Sequence, residues 1–103
     1  MKKVAACAFT KKGFKSALKI CEILKNEYNV QPAAFGKAKE GNEKYNAGSL
    51  SEWTKNTFFS ADVIIFVSAA GIAVRSIAPY IKDKFKDPCV LVCDEGLKFV
   101  VPI

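Results

Sequence analysis

The amino-acid sequence predicts an α/β fold: a small three-layer sandwich with a mainly parallel sheet, helices on both faces and a C-terminal hairpin. Short apolar runs alternate with segments of helical periodicity for most of the length, which is the order of βαβ units. The runs are continuously apolar rather than alternating, so they suit strands that are covered on both faces. Half of the 103 residues are hydrophobic, which favours one domain spanning residues 1–103.

The first half of the chain predicts a strand–turn–helix unit followed by a weaker strand. Residues 4–9 form an apolar run, the stretch from Thr10 to Gly13 predicts a turn, and residues 14–28 carry an apolar stripe at helical spacing. Residues 30–35 predict a second strand near a sheet edge, because the proline within it cannot donate to a ladder. The polar, glycine-containing segment from Gly36 to Gly48 predicts a long mobile loop.

The second half predicts a helix, a central strand, a further helix and a hairpin. A capping box at Ser49 predicts a helix that runs to about Phe59. The apolar residues 63–67 predict the most central strand, and the next helix begins at Ile72 and ends, kinks or restarts at Pro79. Two more apolar runs, joined by a short glycine-containing turn, predict the hairpin strands 89–93 and 98–101.

The net charge of +6 comes almost entirely from lysine. Scattered lysines usually form a solvated surface, whereas the only arginine, Arg75, has a planar fork that suits carboxylate or phosphate. A basic chain favours an acidic partner, of which nucleic acid is one example. Because no basic patch is interleaved with stacking aromatics, we do not expect nucleic acid to be that partner.

The four cysteines predict neither a metal site nor a disulfide framework, because no CxxC pair is present and the chain has no histidine. They lie in predicted strands or on the apolar face of a helix, so we expect all four to be buried in a reducing cytosol: Cys7, Cys21, Cys89 and Cys93. No apolar run approaches the roughly 18 residues that span a membrane. We therefore expect a cytoplasmic protein with no membrane association.

The best candidate site lies where the central strand passes into the next helix, in Ser68, Ala69, Ala70 and Gly71 followed by Arg75. In open α/β sheets, ligands bind outside the carboxyl ends of the strands, and small residues let a ligand approach the backbone. The free N–H groups of a helix start favour an anion, which Arg75 would help to hold. The alternative is an ordinary tight connection in which Arg75 bonds an acidic neighbour.

Other turn residues are weaker candidates. Thr10 and Gly13 also follow a strand, although they lack the spacing of a P-loop. Lys84, Asp94 and Glu95 lie in turns around the strand at 89–93, and the two carboxylates stand where a base could act. Turn formation alone is the competing explanation. Without histidine, the chain can build neither a Ser-His-Asp triad nor a His-activated cysteine, and the dinucleotide fingerprint is missing.

The C-terminal two-fifths of the chain carries a specific combination of short motifs. They are Gly71-Ile72-Ala73-Val74-Arg75, Ile77-Ala78-Pro79, Asp87-Pro88, Asp94-Glu95-Gly96 and Phe99-Val100-Val101-Pro102-Ile103. In order and spacing they resemble the N-terminal region of the cobalt-precorrin 5A hydrolase (CbiG) family. The combination is far more specific than any one of its pieces.

This resemblance implies an enzyme of the anaerobic route to vitamin B12 (cobalamin). Its reaction opens the δ-lactone of cobalt-precorrin 5A and releases acetaldehyde, giving cobalt-precorrin 5B. The partner is then a cobalt-corrinoid intermediate ringed by carboxylates, and no separate cofactor is implied, since cobalt arrives within the substrate. The residues expected to bind this substrate are Thr10, Gly13, Ser68, Ala69, Ala70, Gly71, Arg75 and Lys84. Asp94 or Glu95 would position water or act as a base.

One departure from the family keeps other functions open. In the family, the strand that matches 99–103 continues into a leucine-serine-glycine-histidine segment and a glycine-rich loop, whereas this chain ends at Ile103. We therefore expect a shortened form or one piece of a split enzyme, with the C-terminal part as a partner. The alternative is a non-catalytic module that binds the corrinoid or docks to that part. A flavodoxin-like module for a phosphorylated ligand is a third interpretation, because fold does not fix function.

Overall fold

The computed structural model describes residues 2–83 and 86–103, which form a five-stranded sheet with helices on both sides. The strands are β1 (Lys3–Ala8), β2 (Asn29–Ala34), β3 (Val63–Val67), β4 (Cys89–Cys93) and β5 (Val100–Pro102). Their order is β2-β1-β3-β4-β5, with the first four parallel and β5 antiparallel to β4. The prediction of a mainly parallel sheet with a C-terminal hairpin is confirmed.

Three α-helices in the described part of the chain form the outer layers: α1 (Lys11–Leu24), α2 (Leu50–Phe58) and α3 (Ala70–Ile77). The core separates into two clusters, one on each face of the sheet. Helix α1 contributes to the first cluster, and α2 and α3 contribute to the second. Helices on both faces were expected, and this is confirmed. Within residues 2–83 and 86–103, every helix is too short or too polar to cross a membrane.

The buried strands explain why the apolar runs show no alternation. In β3, Ile65 and Val67 face α1, whereas Ile64 and Phe66 face α2 and α3, so both faces of the strand need apolar side chains. Burying a side chain as large as Phe66 contributes about 2–3 kcal/mol relative to leaving it exposed. Small residues in β1, such as the fully buried Ala8, leave room for α1 to pack closely against the sheet.

Two helices begin earlier than apolar periodicity predicts. Helix α1 begins at Lys11 because Thr10 is its N-cap: the backbone of Thr10 is extended, and its Oγ1 accepts a hydrogen bond from the Gly13 amide. Helix α3 begins at Ala70 rather than at Ile72. Apolar periodicity reveals only residues that face the core, so it misses a first helical turn that consists of small or polar residues.

Helix α2 and the end of α3 agree with the sequence. Ser49 caps α2 through a hydrogen bond from the Glu52 amide to its Oγ, at 3.3 Å. Helix α3 ends at Ile77, and a 3₁₀ turn over Ala78–Tyr80 follows; of the end, kink or restart expected at Pro79, the structure shows the helix end just before the proline. Strand β5 lies slightly later than the predicted residues 98–101.

The segment from Gly36 to Gly48, predicted to be a long mobile loop, has short elements of its own and packs at the sheet edge. It contains two 3₁₀ turns, and Asn46 forms a bridge with the end of β2. Ala38 is fully buried, and the Tyr45 ring lies 5.3 Å from that of Phe14. Two irregularly spaced anchors hold the segment, and composition alone cannot reveal them.

The cysteines are free thiols with different degrees of burial. Cys7 and Cys93 are buried and Cys21 is half-buried, but Cys89 is exposed, so the prediction that all four are buried is wrong for Cys89. Cys89 is the first residue of β4, where the sheet begins and packing is incomplete. Burial raises the pKa of the Cys7 thiol far above its ordinary value and that of Cys21 to about 11, so both are protonated at neutral pH.

Candidate functional site

The carboxyl ends of β1, β3 and β4 meet at one edge of the sheet. The ladders pair Ala8 with Val67 and Val67 with Cys93, so the three strands end at the same level. Helix α1 then leaves towards one face and α3 towards the other, which creates a crevice of the kind where open α/β sheets bind ligands. The predicted site residues that follow these strand ends are Thr10, Gly13, Ser68, Ala69, Ala70, Gly71, Asp94 and Glu95.

A side chain from the hairpin occupies the start of α1. The hydroxyl of Thr10 donates a hydrogen bond to Glu95 Oε1 at 2.6 Å, while the same oxygen accepts from the Gly13 amide at 2.9 Å. The hydroxyl of Ser16 donates to the backbone carbonyl of Glu95. A carboxylate is favourable beside a helix N-terminus. The anion position expected at Thr10 and Gly13 is therefore filled by a residue of the protein itself.

Gly13 is required by packing within this junction. A Cβ atom at this position would lie 2.9 Å from Thr10 Oγ1 and 3.5 Å from side-chain atoms of both Ala8 and Val67. Carbon and oxygen atoms do not normally approach within 3.0 Å, so a larger residue would displace the N-cap. The local structure thus explains this glycine without a ligand.

The start of α3 is open. Its N-cap is Ala69, which has no side-chain oxygen, so the N-cap residue supplies no side-chain acceptor to the first amide groups of the helix. The Ser68 hydroxyl instead donates to the Ala69 carbonyl at 3.0 Å. Gly71 is exposed, and a Cβ atom there would meet nothing within 4 Å. Backbone donors at an open helix start are suited to an incoming anion.

Asp94 organises the β4–β5 turn. Its carboxylate accepts hydrogen bonds from the Phe99 amide at 2.7 Å and the Gly96 amide at 3.2 Å. The hydrogen bond from Phe99 makes the largest contribution to a pKa that lies below the ordinary value for aspartate. The same turn holds Leu97 at φ 57°, a backbone conformation that is uncommon for a residue with a side chain. A carboxylate in this setting is a weaker proton acceptor than a free one.

Arg75 lies in a groove between α2 and α3. The groove has a volume of about 600 Å³, and its other lining residues are Phe9, Leu50, Ser51, Ile72, Ser76, Pro79 and Tyr80. Its walls are mostly apolar, and Phe9 connects it to the carboxyl edge of β1. Among the described residues, no carboxylate lies within ion-pair distance of Arg75, so the acidic neighbour considered above is not found.

Two further predictions concern Lys84 and metal binding. Lys84 lies outside the described residues, so its predicted contact with substrate stays a prediction. Within residues 2–83 and 86–103, no group of three or more His, Cys, Asp or Glu side chains is placed to hold a metal ion.

Sequence reasoning missed the partners that shape this region. Phe9, Leu50 and Tyr80 come from three distant parts of the chain, and only the packing of α2 against α3 brings them together. Ser16 lies one turn beyond the predicted site and carries no recognisable motif. The one signal that could have identified Ser16 was its place on the first turns of a helix that follows a strand.

Two glycine substitutions distinguish a glycine that packing requires, Gly13, from one that faces open space, Gly71. We expect Gly71→Ala to leave the free energy of unfolding unchanged or raise it by up to about 1 kcal/mol, since alanine favours a helix and meets no neighbour. We expect Gly13→Ala to be destabilising, because the new Cβ clashes with Thr10 Oγ1. Urea unfolding measures both. A Gly13→Ala protein as stable as Gly71→Ala would contradict the packing role.

The lowered pKa of Asp94 predicts how its contribution to stability depends on pH. A carboxylate with a depressed folded-state pKa stabilises the fold above its unfolded value, and this stabilisation is lost as the pH falls through the folded value. We expect Asp94→Asn to lower the melting temperature at pH 7. The difference from wild type should narrow as the pH falls below the ordinary value of 3.8. A difference that stays constant between pH 7 and pH 2 would show that the charge makes no contribution.

Comparison with known proteins identifies the family. A family model described as Cobalamin synthesis G N-terminal matches residues 52–103. The chain is 31% identical over 101 residues to a cobalt-precorrin-5A hydrolase of Priestia megaterium, and this alignment covers 96% of this chain and 27% of that protein. It is 39% identical over 56 residues to a cobalt-precorrin-5A hydrolase of Salmonella typhimurium, covering 54% of this chain and 16% of that protein. The chain thus spans about a quarter or less of these curated relatives.

A solved structure shares the fold. A cobalamin biosynthesis protein G homolog from Sulfolobus solfataricus superimposes with a TM-score of 0.74 at 23% identity, over 99% of this chain and 28% of that one. At this identity the likeness concerns the fold alone. The matched residues 52–103 contain α3, the β4–β5 turn and most of the candidate site. Because the family model matches half of the chain, the chain belongs to the family of cobalamin synthesis G N-terminal regions.

Proposed function

We propose that this chain acts in cobalamin biosynthesis as a cobalt-precorrin 5A hydrolase or the N-terminal portion of one. The reaction opens the δ-lactone of cobalt-precorrin 5A and releases acetaldehyde, giving cobalt-precorrin 5B. The observation that carries this proposal is that the open start of α3, Arg75 and the turn with Asp94 and Glu95 all lie in the family-matched residues and around the carboxyl edge of the sheet.

Substrate carboxylates bind at the start of α3. The first amide groups of α3 have no side-chain cap, and the space above Gly71 is open, so a carboxylate reaches the backbone there without displacing a side chain. The start of α1 is less available because Glu95 already occupies it. The net charge of +6 favours the approach of a substrate ringed by acetate and propionate groups.

The groove between α2 and α3 receives the apolar surface of the macrocycle. Its volume of about 600 Å³ falls within the usual range for small-molecule sites, and apolar residues form most of its wall. Arg75 supplies a fork of N–H donors at this wall, which suits bidentate binding of a carboxylate. Phe9 joins the groove to the strand ends, so one ligand can contact both.

Glu95 is the better placed of the two candidate carboxylates to position water or accept a proton. Both carboxylate oxygens of Asp94 accept backbone hydrogen bonds, and its pKa is lowered. Glu95 instead bonds a side-chain hydroxyl, that of Thr10, which can reorient when substrate binds. Glu95 is therefore the residue to which this proposal assigns the role, and Asp94 holds the turn that carries it.

The second candidate function is a non-catalytic module that binds the corrinoid. The engagement of both carboxylates in internal hydrogen bonds favours it, because neither is free to act without rearrangement. The chain also has no histidine to act as a general base.

Anaerobic incubation with cobalt-precorrin 5A separates the two functions, with acetaldehyde as the measured product. We expect the hydrolase to release acetaldehyde, and Glu95→Gln to slow the release on the order of 100-fold, as loss of a general base typically does. The full-length Priestia megaterium relative is the positive control. Saturable binding with no acetaldehyde, while the control turns over, would reject hydrolysis by this chain and favour the binding module.

Arg75→Lys tests the binding groove in either function. Lysine keeps the charge but loses the bidentate fork, so we expect the dissociation constant for cobalt-precorrin 5A to rise on the order of 10-fold. Visible absorption of the corrinoid reports the titration. The matched control is Lys19→Arg on the exposed side of α1, which should leave affinity unchanged. Equal affinity of wild type and Arg75→Lys would remove the arginine from the site.

A further inference from the structure

The edge of the sheet at β5 carries the largest concentration of exposed apolar side chains in the described part of the chain. Five of the eight large exposed hydrophobic residues belong to it: Val74 (47% exposed), Ile81 (56%), Phe99 (69%), Val101 (52%) and Ile103 (47%). Together they form the surface called here the apolar β5 surface. Contiguous exposed apolar patches on soluble domains usually mark an interaction site.

The sheet register places the strand residues of this surface on one face. Val101 pairs with Val92, and Val92 is buried in the same cluster as Ala73 and Ile77 of α3. Val101 therefore projects on the α3 side of the sheet, and strand alternation places Phe99 and Ile103 on that side as well. Ile103 lines a cavity of about 460 Å³ together with Ile77 and Ile81, which connects the strand to the end of α3.

Helix geometry turns Val74 towards the same edge. Ile72 and Ser76 line the groove on the α2 side of α3, and Ala73 is buried against the sheet. At 100° per residue, Val74 lies on the opposite flank of the helix from Ile72. Because β4 and β5 follow β3 in the strand order, the exposed flank of α3 and the exposed face of β5 lie on the same side of the sheet.

The opposite edge of the sheet shows how this protein covers an edge strand. The segment after β2 folds back over that edge, with Asn46 bridged to Ala34 and Ala38 fully buried. Pro32 also removes a donor from β2. In contrast, all three residues of β5 are exposed, and within residues 2–83 and 86–103 the strand pairs only with β4. An uncovered edge strand with apolar side chains is a ready template for another polypeptide segment.

We infer that the apolar β5 surface binds the C-terminal remainder of a cobalt-precorrin 5A hydrolase-type polypeptide, an inference that rests on the proposed function. The family model describes an N-terminal region, and the longer relatives have about three-quarters or more of their length outside the part that matches this chain. Strand β5 lies at the C-terminal end of the family-matched residues 52–103. The exposed Lys82 lines the same cavity as Ile81 and Ile103, so it borders the surface and suits acidic residues on the bound segment.

The test uses two purified proteins: this 103-residue chain and the C-terminal remainder of the Priestia megaterium relative. Calorimetric titration is expected to show saturable binding, which Val101→Lys weakens at least 10-fold. Phe99→Lys is the second variant, and circular dichroism verifies that both are folded. The matched control is Ile23→Lys, because Ile23 is 70% exposed on α1 at the other face of the sheet, and it should bind as wild type does.

Three results would overturn the inference. The first is no binding by this chain when the relative's own N-terminal part binds the remainder. The second is unchanged binding by Val101→Lys and Phe99→Lys. The third is a dimer of this chain, seen by sedimentation, that Val101→Lys dissociates, since a second copy would then be the occupant. Corrinoid titration separates this inference from the proposed function: Val101→Lys should keep its corrinoid affinity, whereas Arg75→Lys should keep its affinity for the polypeptide.

Discussion

The parallel pairing of β1 with β3 is the constraint on which the rest of the structure depends. Because the two strands run in the same direction and end at Ala8 and Val67 in register, the segments that follow them must emerge at one edge. Both strands are buried on both faces, so the sheet needs helices on both sides, and α1 and α3 leave to opposite ones. The crevice at the carboxyl edge results from that requirement, before any contribution from a functional side chain.

The two helix starts at this edge differ in how they are capped. Thr10 and Glu95 complete the start of α1, and they tie the helix to a hairpin that lies far away in sequence. The start of α3 has no equivalent, because its N-cap is Ala69 and Gly71 faces open space. An incoming carboxylate would therefore compete with Glu95 at α1, whereas the N-cap residue of α3 offers no competing side chain. The family-matched residues include this helix start, which supports the binding proposed there.

Local pattern predicted the strands well, but it could not predict the contacts between distant segments. The apolar runs in β3 and β4 identified buried parallel strands, and the capping box identified the start of α2. The hydrogen bond from Thr10 to Glu95 and the groove around Arg75 depend on how the elements pack. The sequence pattern therefore could not predict that Thr10 contacts Glu95, or which residues surround Arg75. Cys89 shows the same limit: its run predicts burial, but its place at the start of a strand exposes it.

The most direct test of the account is a map of where the corrinoid binds. The chain can be labelled with ¹⁵N and titrated anaerobically with cobalt-precorrin 5A, while amide resonances are followed by NMR. We predict that the largest shifts or broadening occur at residues 68–76 and 94–96 and at Phe9, around the open start of α3 and the Arg75 groove. Changes confined to the β5 edge, or to the cavity between β2 and α2 lined by Asn29 and Thr57, would contradict it.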